Sequence, residues 1–376
     1  MAVAGWRKWF DRFVLPGLAF KAVVIGGGYA TGRELAEFFL PSGPVGGLMG
    51  MVLAMVIWSC VGMASFCLAF VTASRDYDTF FRNLLGPLSP ICELAYVLTL
   101  ILILSVFGAT AGALGAALFG APLWVGTLVL GMCIAAVVAF GQNAVEGLFK
   151  YVSIFLYAVY GLFLLLSLWR FGGAIGRALT LHTPTTGWVA GGTAYASYNM
   201  LAAVAILPVL RHLTSRRDAL IAGALAGPLA MAPAIAFFLC MSAFYPSIGA
   251  AKLPSDFILV RLGMPFLRYV FQTMVFCALL EGGTAAVQSI NARIGKVYDW
   301  RGWAFTPAKK LAVAALLLTA SMVVADRVGL VALIAKGYRI LAVVFLLIYV
   351  LPVLTFGVWK SVSKAGAAQP LQEGFD

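Results

Sequence analysis

Residues 13–41 read FVLPGLAFKAVVIGGGYATGRELAEFFLP, an apolar stretch that is long enough to cross a bilayer but is interrupted by glycines at positions 26–28 and 32. Each glycine costs roughly 1 kcal/mol relative to alanine inside a helix. Lipid cannot satisfy the backbone groups that such a break exposes, so a break is tolerated where it is buried in protein or lines a wet cavity. The stretch therefore predicts a broken transmembrane helix, with the break buried in protein or lining a cavity; a close helix–helix contact made by small residues is the alternative.

The composition of the whole chain also places it in a lipid bilayer. The chain has 376 residues, of which 62% are hydrophobic and 11% are charged, and its mean hydropathy is +0.99. Soluble domains carry about 25% charged residues. These values exclude soluble enzymes, nucleic-acid-binding modules, disordered proteins and secreted disulfide scaffolds. The apolar runs are continuous rather than alternating, which excludes an outer-membrane barrel as well.

Ten apolar stretches are long enough to be membrane spans. They cover residues 12–40, 45–72, 89–118, 122–141, 145–169, 188–210, 218–245, 264–292, 308–325 and 329–358. If the N-terminus is cytoplasmic, most of the 26 Lys and Arg residues fall on the cytoplasmic side, as the positive-inside rule requires. The even number of spans then places both termini in the cytoplasm. The net charge of +12 reflects this topology and requires no nucleic-acid partner. Residues 74–86 predict a short amphipathic helix on the cytoplasmic face.

Residues that often carry catalysis or bind metals form no recognisable motif in this sequence. The six cysteines lie in apolar spans, where they fit as small packing residues. His182 and His212 lie in loops, and there is no CxxC, HExxH or phosphate-loop pattern. We therefore predict that the chain is not an enzyme and that it holds no metal and no cofactor other than a coupling ion.

A weak repeat relates the two halves of the chain. Tyr29-Ala30-Thr31 in the first span is matched by Tyr195-Ala196-Ser197 in the sixth. Each half of the chain holds five spans, an odd number, so the second copy enters the membrane from the opposite side. We predict an inverted repeat made of residues 1–180 and 181–362, followed by a polar cytoplasmic tail at 363–376. Transporters of this kind place broken helices at corresponding positions, with the substrate between them.

The two breaks therefore define the candidate substrate site. Their backbone amides suit an anionic group such as a carboxylate, and their aromatic and hydroxyl side chains offer rings and hydrogen bonds. The predicted substrate-binding residues are Gly26, Gly27, Gly28, Tyr29, Ala30, Thr31, Gly32, Tyr195, Ala196, Ser197, Tyr198 and Asn199. For each residue taken singly, a packing role is the alternative.

Four strings, GGGYATGRELAEFF, TAYASYN, LLEGGTAAVQSINARIGK and GLVALIAKGYRILAVVF, resemble the YkvI-type bacterial membrane proteins. That family resembles a distant branch of the amino acid–polyamine–organocation superfamily, whose members share the LeuT-type five-plus-five inverted repeat. The resemblance implies an all-α polytopic protein with broken first and sixth spans, located in a bacterial inner membrane. It also implies secondary transport of a small organic solute. The sequence departs from the Asn-Glu-Arg triplet of the family, since it has Asn291-Ala292-Arg293.

A polar stripe on the eighth span is the candidate ion-coupling site. Glu281, Thr284, Gln288 and Asn291 share one helical face, and ionisable groups inside a membrane are costly and usually functional. Glu281 could carry a coupling proton, with Lys21 as an ion-pair partner. The resemblance to LeuT-type sodium symporters implies instead that Thr284 and the carbonyls near Val23 hold sodium. Hydrogen bonding between helices is the structural alternative.

Four more charges lie at the ends of the first and tenth spans: Arg33, Glu34, Lys336 and Arg339. In the LeuT architecture these two helix ends face each other above the substrate. The resemblance therefore implies an external gate with a Glu34–Lys336 ion pair, and a static pair that satisfies two buried charges is the alternative.

Together these features predict a secondary active transporter that works by alternating access in the bilayer. Its substrate would be a small molecule, an amino acid or related zwitterion, coupled to H+ or Na+. A transition-metal carrier of the same fold, an ion channel and a non-transporting membrane receptor are the alternatives.

Overall fold

The structure, a computed structural model, describes the backbone of residues 9–24, 27–140 and 142–367, and the side chains of these residues except 27–28, 140, 142–153 and 364–367. These residues are helical apart from short turns, and no strand occurs among them. The chain is therefore an all-α polytopic membrane protein, as the sequence predicted.

The first span is divided into three helices, α1 (Leu15–Val24), α2 (Gly27–Ala30) and α3 (Arg33–Phe38). The helices that follow are α4 (Gly43–Val71), α5 (Tyr77–Leu85), α6 (Ser89–Phe119), α7 (Leu123–Phe140), α8 (Gln142–Thr180), α9 (Trp188–Asn199), α10 (Leu201–Ala205), α11 (Arg216–Ser242), α12 (Pro254–Leu262), α13 (Pro265–Trp300), α14 (Pro307–Val328) and α15 (Leu330–Ser363).

The predicted spans correspond to these helices. Within the described ranges, seven helices are long and apolar enough to cross a membrane. The three remaining predicted spans are the broken first span, the broken sixth span (α9 and α10) and the short α7. Three details differ from prediction: α8 and α13 extend well beyond residues 169 and 292, and α12 was not predicted. Helix continues to Ala367, so the predicted tail begins as helix, and residues 368–376 lie outside the described part.

One group of helices is organised around α4 and α11, the second and seventh spans, which pack along each other. Their backbones approach closely at two glycines: a Cβ atom on Gly223 would lie 2.4 Å from the backbone nitrogen of Met63, and one on Gly62 would lie 2.9 Å from the carbonyl oxygen of Gly223. Small residues permit such close packing in membranes, where the hydrophobic effect does not drive helices together. α1 packs on α11, and α9 packs on α4.

A second group contains α6, α7, α13 and α14, the third, fourth, eighth and ninth spans. The hydroxyl of Thr127 on α7 donates to the carbonyl of Gly108 on α6 at 2.8 Å. α2 packs on α13, so the broken first span lies between the two groups. We call the face at the end of α3 the outer face and the opposite face the inner face, following the predicted orientation.

Both predicted breaks are present, but their positions differ in detail from the prediction. α2 is a helical turn, and the chain turns at Thr31 and Gly32, where Gly32 adopts the left-handed region (φ 78°). Tyr195 and Asn199 likewise belong to the last helical turns of α9, and the sixth span is interrupted at Met200. Most of the predicted substrate residues therefore lie in helical turns beside the breaks, and the chain leaves the helix at Thr31, Gly32 and Met200. Gly26 lies outside the described residues.

The break in the first span is closed by contacts from α12. The carbonyl of Thr31, which the turn frees from the helix, accepts a hydrogen bond from the amide of Ser255 at 2.9 Å. A Cβ atom on Gly32 would lie 2.7 Å from the ring of Phe237. Two features therefore require glycine at position 32: its left-handed backbone conformation and the lack of space for a Cβ atom beside Phe237.

Candidate functional site

Glu34 lies at the start of α3, where the first span resumes after its break. It is buried, with 6% of its surface exposed. Its Oε2 atom accepts a short hydrogen bond of 2.6 Å from the hydroxyl of Tyr198 on α9. Lys336 is exposed on α15, and the two residues form no ion pair. The Glu34–Lys336 pair is therefore wrong, because the carboxylate points to the sixth span and not to the tenth.

Arg33, next to Glu34 in sequence, has a different environment. Its guanidinium is buried and donates through Nη1 to the carbonyls of Gly249 and Ala251, at 2.8 and 3.0 Å. Its Nη2 atom donates to Oε2 of Glu37 at 3.1 Å. These bonds tie α3 to the segment that leads into α12, on the outer side of the break.

Glu37 is the carboxylate that pairs with the tenth span. Its second oxygen, Oε1, accepts a hydrogen bond from Arg339 at 3.2 Å. Arg339 is 59% exposed, so this ion pair contributes about 1 kcal/mol or less, whereas the Arg33 contacts are buried. We call Arg33, Glu37 and Arg339, together with the carbonyls of Gly249 and Ala251, the outer clamp.

Tyr29 and Tyr195, the matched tyrosines of the weak repeat, are both almost fully buried. The Tyr195 hydroxyl makes no hydrogen bond to a described residue, whereas the Tyr29 hydroxyl interacts with the side chain of Tyr160. The Tyr29 ring lies beside Tyr160 (6.2 Å between centroids), and the Tyr195 ring lies beside Phe39 (4.8 Å) and Trp58 (5.6 Å). The repeat thus places a buried phenol beside each break.

The other predicted substrate residues on α9 are bonded within their own helix. Ser197 donates to the carbonyl of Thr193 at 2.7 Å, and Asn199 donates to the carbonyl of Tyr195 at 3.0 Å. The carbonyl of Ala196 accepts a bond of 3.1 Å from the indole of Trp58 on α4. On the first span, the Thr31 hydroxyl accepts from the amide of Arg33 at 3.3 Å.

Two cavities lie along α3, one toward each face of the membrane. The inner cavity, of about 150 Å³, begins at Glu34 and extends toward the inner face. Its lining includes Val23, Glu34, Tyr96, Phe107, Tyr198, Asn199, Ala205 and Tyr338. The outer cavity, of about 460 Å³, lies between α3, α9 and α15, and its lining includes Glu37, Phe38, Ser197 and Arg339.

A pair of aromatic rings lies between the two cavities. Phe38 lines the outer cavity and Tyr198 lines the inner one. Their rings are in contact, with centroids 5.5 Å apart. Tyr338, on a π-helical turn of α15, packs on the other side of Tyr198 at 4.6 Å. A movement of α3 or α9 that separates these rings would connect the cavities.

The polar stripe of α13 faces the interior only in part. Thr284 is fully buried, and its hydroxyl makes no hydrogen bond to a described residue. Asn291 is buried and donates to the carbonyl of Lys310 at 3.3 Å, while Glu281 and Gln288 are half-buried. α13 also packs against α2, beside the break.

Lys21 does not form the predicted ion pair with Glu281. Its ammonium lies over the ring of Tyr157 on α8, 4.5 Å from the centroid, which is a cation–π contact. The charge of Glu281 also acts on Tyr157, so both residues lie near the same ring. Lys21 and Glu281 therefore lie in one region of the structure, although they are not paired with each other.

Sequence reasoning missed a cluster at the inner end of α13. Arg293 forms an ion pair of 2.5 Å with Glu93 at the start of α6 and lies 3.9 Å over the ring of Tyr96. Tyr96 also lines the inner cavity. We call Arg293, Glu93 and Tyr96 the inner latch. The positive-inside rule treats Arg293 only as a cytoplasmic residue. Its position two residues after Asn291, the last residue of the polar stripe, could have indicated a functional role.

The fold is known from solved structures. MhsT, solved in complex with L-phenylalanine, is 15% identical to this chain with a TM-score of 0.57, over 94% of this chain and 98% of MhsT. Mhp1, a nucleobase-cation-symport-1 family transporter solved in a closed conformation with bromovinylhydantoin bound, is 17% identical with a TM-score of 0.51, over 95% and 92% of the two chains.

A manganese transporter from Eremococcus coleocola is similar to the same degree, with 16% identity and a TM-score of 0.51 over 90% of this chain and 77% of the transporter. No protein-family model and no curated protein matches the chain. At these identities the similarity establishes the fold alone. The chain has a LeuT-type fold, in which the first and sixth spans are interrupted.

Proposed function

We propose that the protein is a secondary active transporter that moves a small organic solute by alternating access. The observation that supports this proposal best is the pair of cavities along the second half of the broken first span, one toward each face of the membrane, separated by the contact between Phe38 and Tyr198. Alternating access requires a site that two cavities reach in turn. In this conformation the outer clamp fastens α3 to the segment before α12, and Glu34 faces the inner cavity.

We propose an amino acid or a related zwitterion as the solute. The buried hydroxyls of Tyr29 and Tyr195 lie beside the two breaks, and that of Tyr195 makes no hydrogen bond to a described residue. MhsT and Mhp1 were both solved with organic ligands bound, which supports an organic solute. On the sequence resemblance, we assign the chain to the YkvI-type proteins of a bacterial inner membrane, with both termini cytoplasmic.

We propose that the coupling ion binds to side chains of α13. Glu281 would carry a proton, or Thr284 would help to hold sodium. In favour of sodium, the buried Thr284 hydroxyl has no described partner, and an oxygen in that position can coordinate a cation. In favour of protons, Glu281 is an ionisable group on a membrane-spanning helix, where such groups are usually functional.

The first experiment identifies the solute. The purified protein is screened by thermal unfolding against the amino acids and simple amines, because a ligand that binds the native state raises its apparent stability. The solute found is then tested for uptake into proteoliposomes under an imposed proton or sodium gradient. Saturable uptake above the equilibrium level supports a secondary active transporter. Uptake that only equilibrates, or that does not saturate, contradicts it.

The coupling ion is then decided with two variants. If protons are coupled, Glu281→Gln abolishes accumulation driven by a proton gradient and leaves exchange of labelled for unlabelled solute intact. If sodium is coupled, Thr284→Ala abolishes accumulation driven by sodium, and the conservative Thr284→Ser retains it. Accumulation that survives both Glu281→Gln and Thr284→Ala contradicts a coupling role for α13.

Uptake of manganese is measured in the same assay to test the metal-carrier alternative, since one structure of this fold is a manganese transporter. The described residues contain no group of three His, Cys, Asp or Glu side chains that could hold a metal ion. Manganese accumulation by the reconstituted protein would replace the organic-solute proposal.

A further inference from the structure

Glu34 is the one acidic side chain among the described residues that line the inner cavity. Its Oε2 atom is bonded to the hydroxyl of Tyr198. Its Oε1 atom accepts no hydrogen bond from a described residue, and the Glu34 side chain lines the cavity. Oε1 is therefore the atom that can accept a hydrogen bond from a solute in the cavity.

The basic side chains near Glu34 are turned elsewhere. Arg33 donates to the outer clamp, and Arg339 pairs with Glu37. Lys21 lies over Tyr157, and Lys336 is exposed. Among the described residues, Glu34 has no ion-pair partner. The carboxylate is thus buried in the membrane domain without a basic partner from the described part of the chain.

A buried carboxylate without a counter-charge is expensive. Ionised groups in an apolar medium cost several kcal/mol unless they are paired and hydrogen-bonded. One hydroxyl, that of Tyr198, does not remove this cost. A cation that enters the inner cavity, or a proton, would.

The rings around the cavity favour an organic cation. Tyr198 and Tyr338 lie in contact, and Tyr96 and Phe107 line the same cavity. Aromatic faces attract ammonium groups through their quadrupoles, and the attraction increases when the cation is desolvated. A metal cation would require several oxygen ligands, whereas an alkylammonium group needs one carboxylate and surrounding rings.

We propose that Glu34 binds the ammonium group of the transported solute, with Tyr198, Tyr338 and Phe107 around it. The proposal rests on the proposed function and names its substrate class: protonated amines, including amino acids held through their ammonium group, and not simple carboxylic acids. It also assigns Glu34 to solute binding, whereas Glu37 belongs to the outer clamp. The cavity volume of about 150 Å³ lies below the roughly 300–1,000 Å³ of drug-sized sites, so the solute is small.

The test uses three compounds that share one carbon skeleton and differ in charge: isobutylamine, L-valine and isovalerate. Binding to the purified full-length protein is measured by thermal unfolding at constant ionic strength. We expect isobutylamine and L-valine to raise the unfolding temperature saturably, and isovalerate to have no effect. A series from methylamine to butylamine then maps the preferred length.

The deciding variant is Glu34→Gln, which keeps the shape of the side chain and an acceptor for the Tyr198 hydroxyl but removes the charge. The affinity for isobutylamine should fall by about tenfold or more, as expected for the loss of a charge-assisted bond. Asp78→Asn is the matched control, since Asp78 is an exposed carboxylate on α5, paired with Arg82. The unfolding temperature of the ligand-free Glu34→Gln protein should be equal to or above that of the wild type, which verifies that the variant folds.

Several results would overturn the assignment. These are equal binding of isovalerate and isobutylamine, unchanged amine affinity in Glu34→Gln, no response to any amine of the series, or stabilisation by sodium or potassium chloride that isobutylamine does not compete with. The binding test of Glu34 and the transport test of the proposed function can fail independently. Glu34-dependent amine binding without accumulation in proteoliposomes would contradict transport alone. Transport of a solute that is retained in Glu34→Gln would contradict the cation site alone.

Discussion

Arg33 holds the outer clamp together, and its replacement by methionine should release the outer face. Arg33→Met keeps an unbranched apolar stem of similar reach and removes the guanidinium. The closed conformation then loses two hydrogen bonds to the carbonyls of Gly249 and Ala251 and the buried ion pair with Glu37. In an open conformation water would satisfy all of these groups, so the loss falls on the closed state.

The size of the effect follows from the burial of Arg33, which is only 5% exposed. Breaking a buried, hydrogen-bonded ion pair costs about 3–5 kcal/mol. Since about 1.4 kcal/mol changes an equilibrium constant tenfold, the open population should rise by roughly 100-fold or more, until it becomes the major state.

Ser255 provides a reporter for this opening. It is fully buried, and its amide donates to Thr31 across the closed break. In a Ser255→Cys protein, the rate of modification by a polar maleimide measures the open fraction. The same protein without Ser255→Cys gives the background of the six native cysteines. Arg82→Met is the matched control, because Arg82 is 69% exposed on α5.

We expect Arg33→Met to accelerate modification of the thiol introduced at position 255 by roughly 100-fold, or less only if the open state has by then become the major one. Arg82→Met should leave the rate unchanged. A rate within about twofold of the parent protein would refute the reasoning, because the clamp would then carry no part of the closure. Equal acceleration by both variants would also refute it, since the effect would then be a general loosening of the fold.

Two further predictions concern packing and the inner latch. Gly32→Ala should lower the stability to thermal unfolding by about 1–3 kcal/mol more than Gly263→Ala. Both glycines have positive φ (78° and 73°), but only a Cβ atom at position 32 would contact Phe237, at 2.7 Å. Equal losses in the two variants would show that the clash is relieved without cost. The losses of stability in Arg293→Met and Glu93→Gln should be non-additive in a double-mutant cycle by about 0.5–1 kcal/mol. The value is modest because Glu93 is 44% exposed. Additive losses would mean that the ion pair of the inner latch contributes nothing to stability.

The sequence predicted the spans well because each span is a local property. A run of about 20 apolar residues is a helix in lipid whatever its neighbours are, and the predicted spans 45–72 and 89–118 therefore correspond closely to α4 and α6. The break in the first span was also local, since consecutive glycines disfavour helix. The short α12 was missed because its nine residues carry no comparable signal and are held by contacts with the first span.

The site was predicted less well because ion pairing depends on which helix faces which. Glu34 and Glu37 lie one helical turn apart on α3, and the sequence cannot say which of them reaches α15. The structure pairs Glu37 with Arg339 and Glu34 with Tyr198. In the same way, Lys21 lies over Tyr157 rather than against Glu281, which a reading of the first and eighth spans alone could not anticipate.

The sequence by itself determined that this chain is a bundle of membrane helices with a broken first span, since the cost of exposing backbone and charge to lipid is fixed by residue type. Only the tertiary structure decided which buried charges are paired and which carboxylate is left facing a cavity. Pairing depends on distances of a few ångströms between helices that are far apart in sequence, and Coulomb energy and hydrogen bonding decay over that same scale. Glu34 acquires its importance from the absence of a basic partner among the described residues around it.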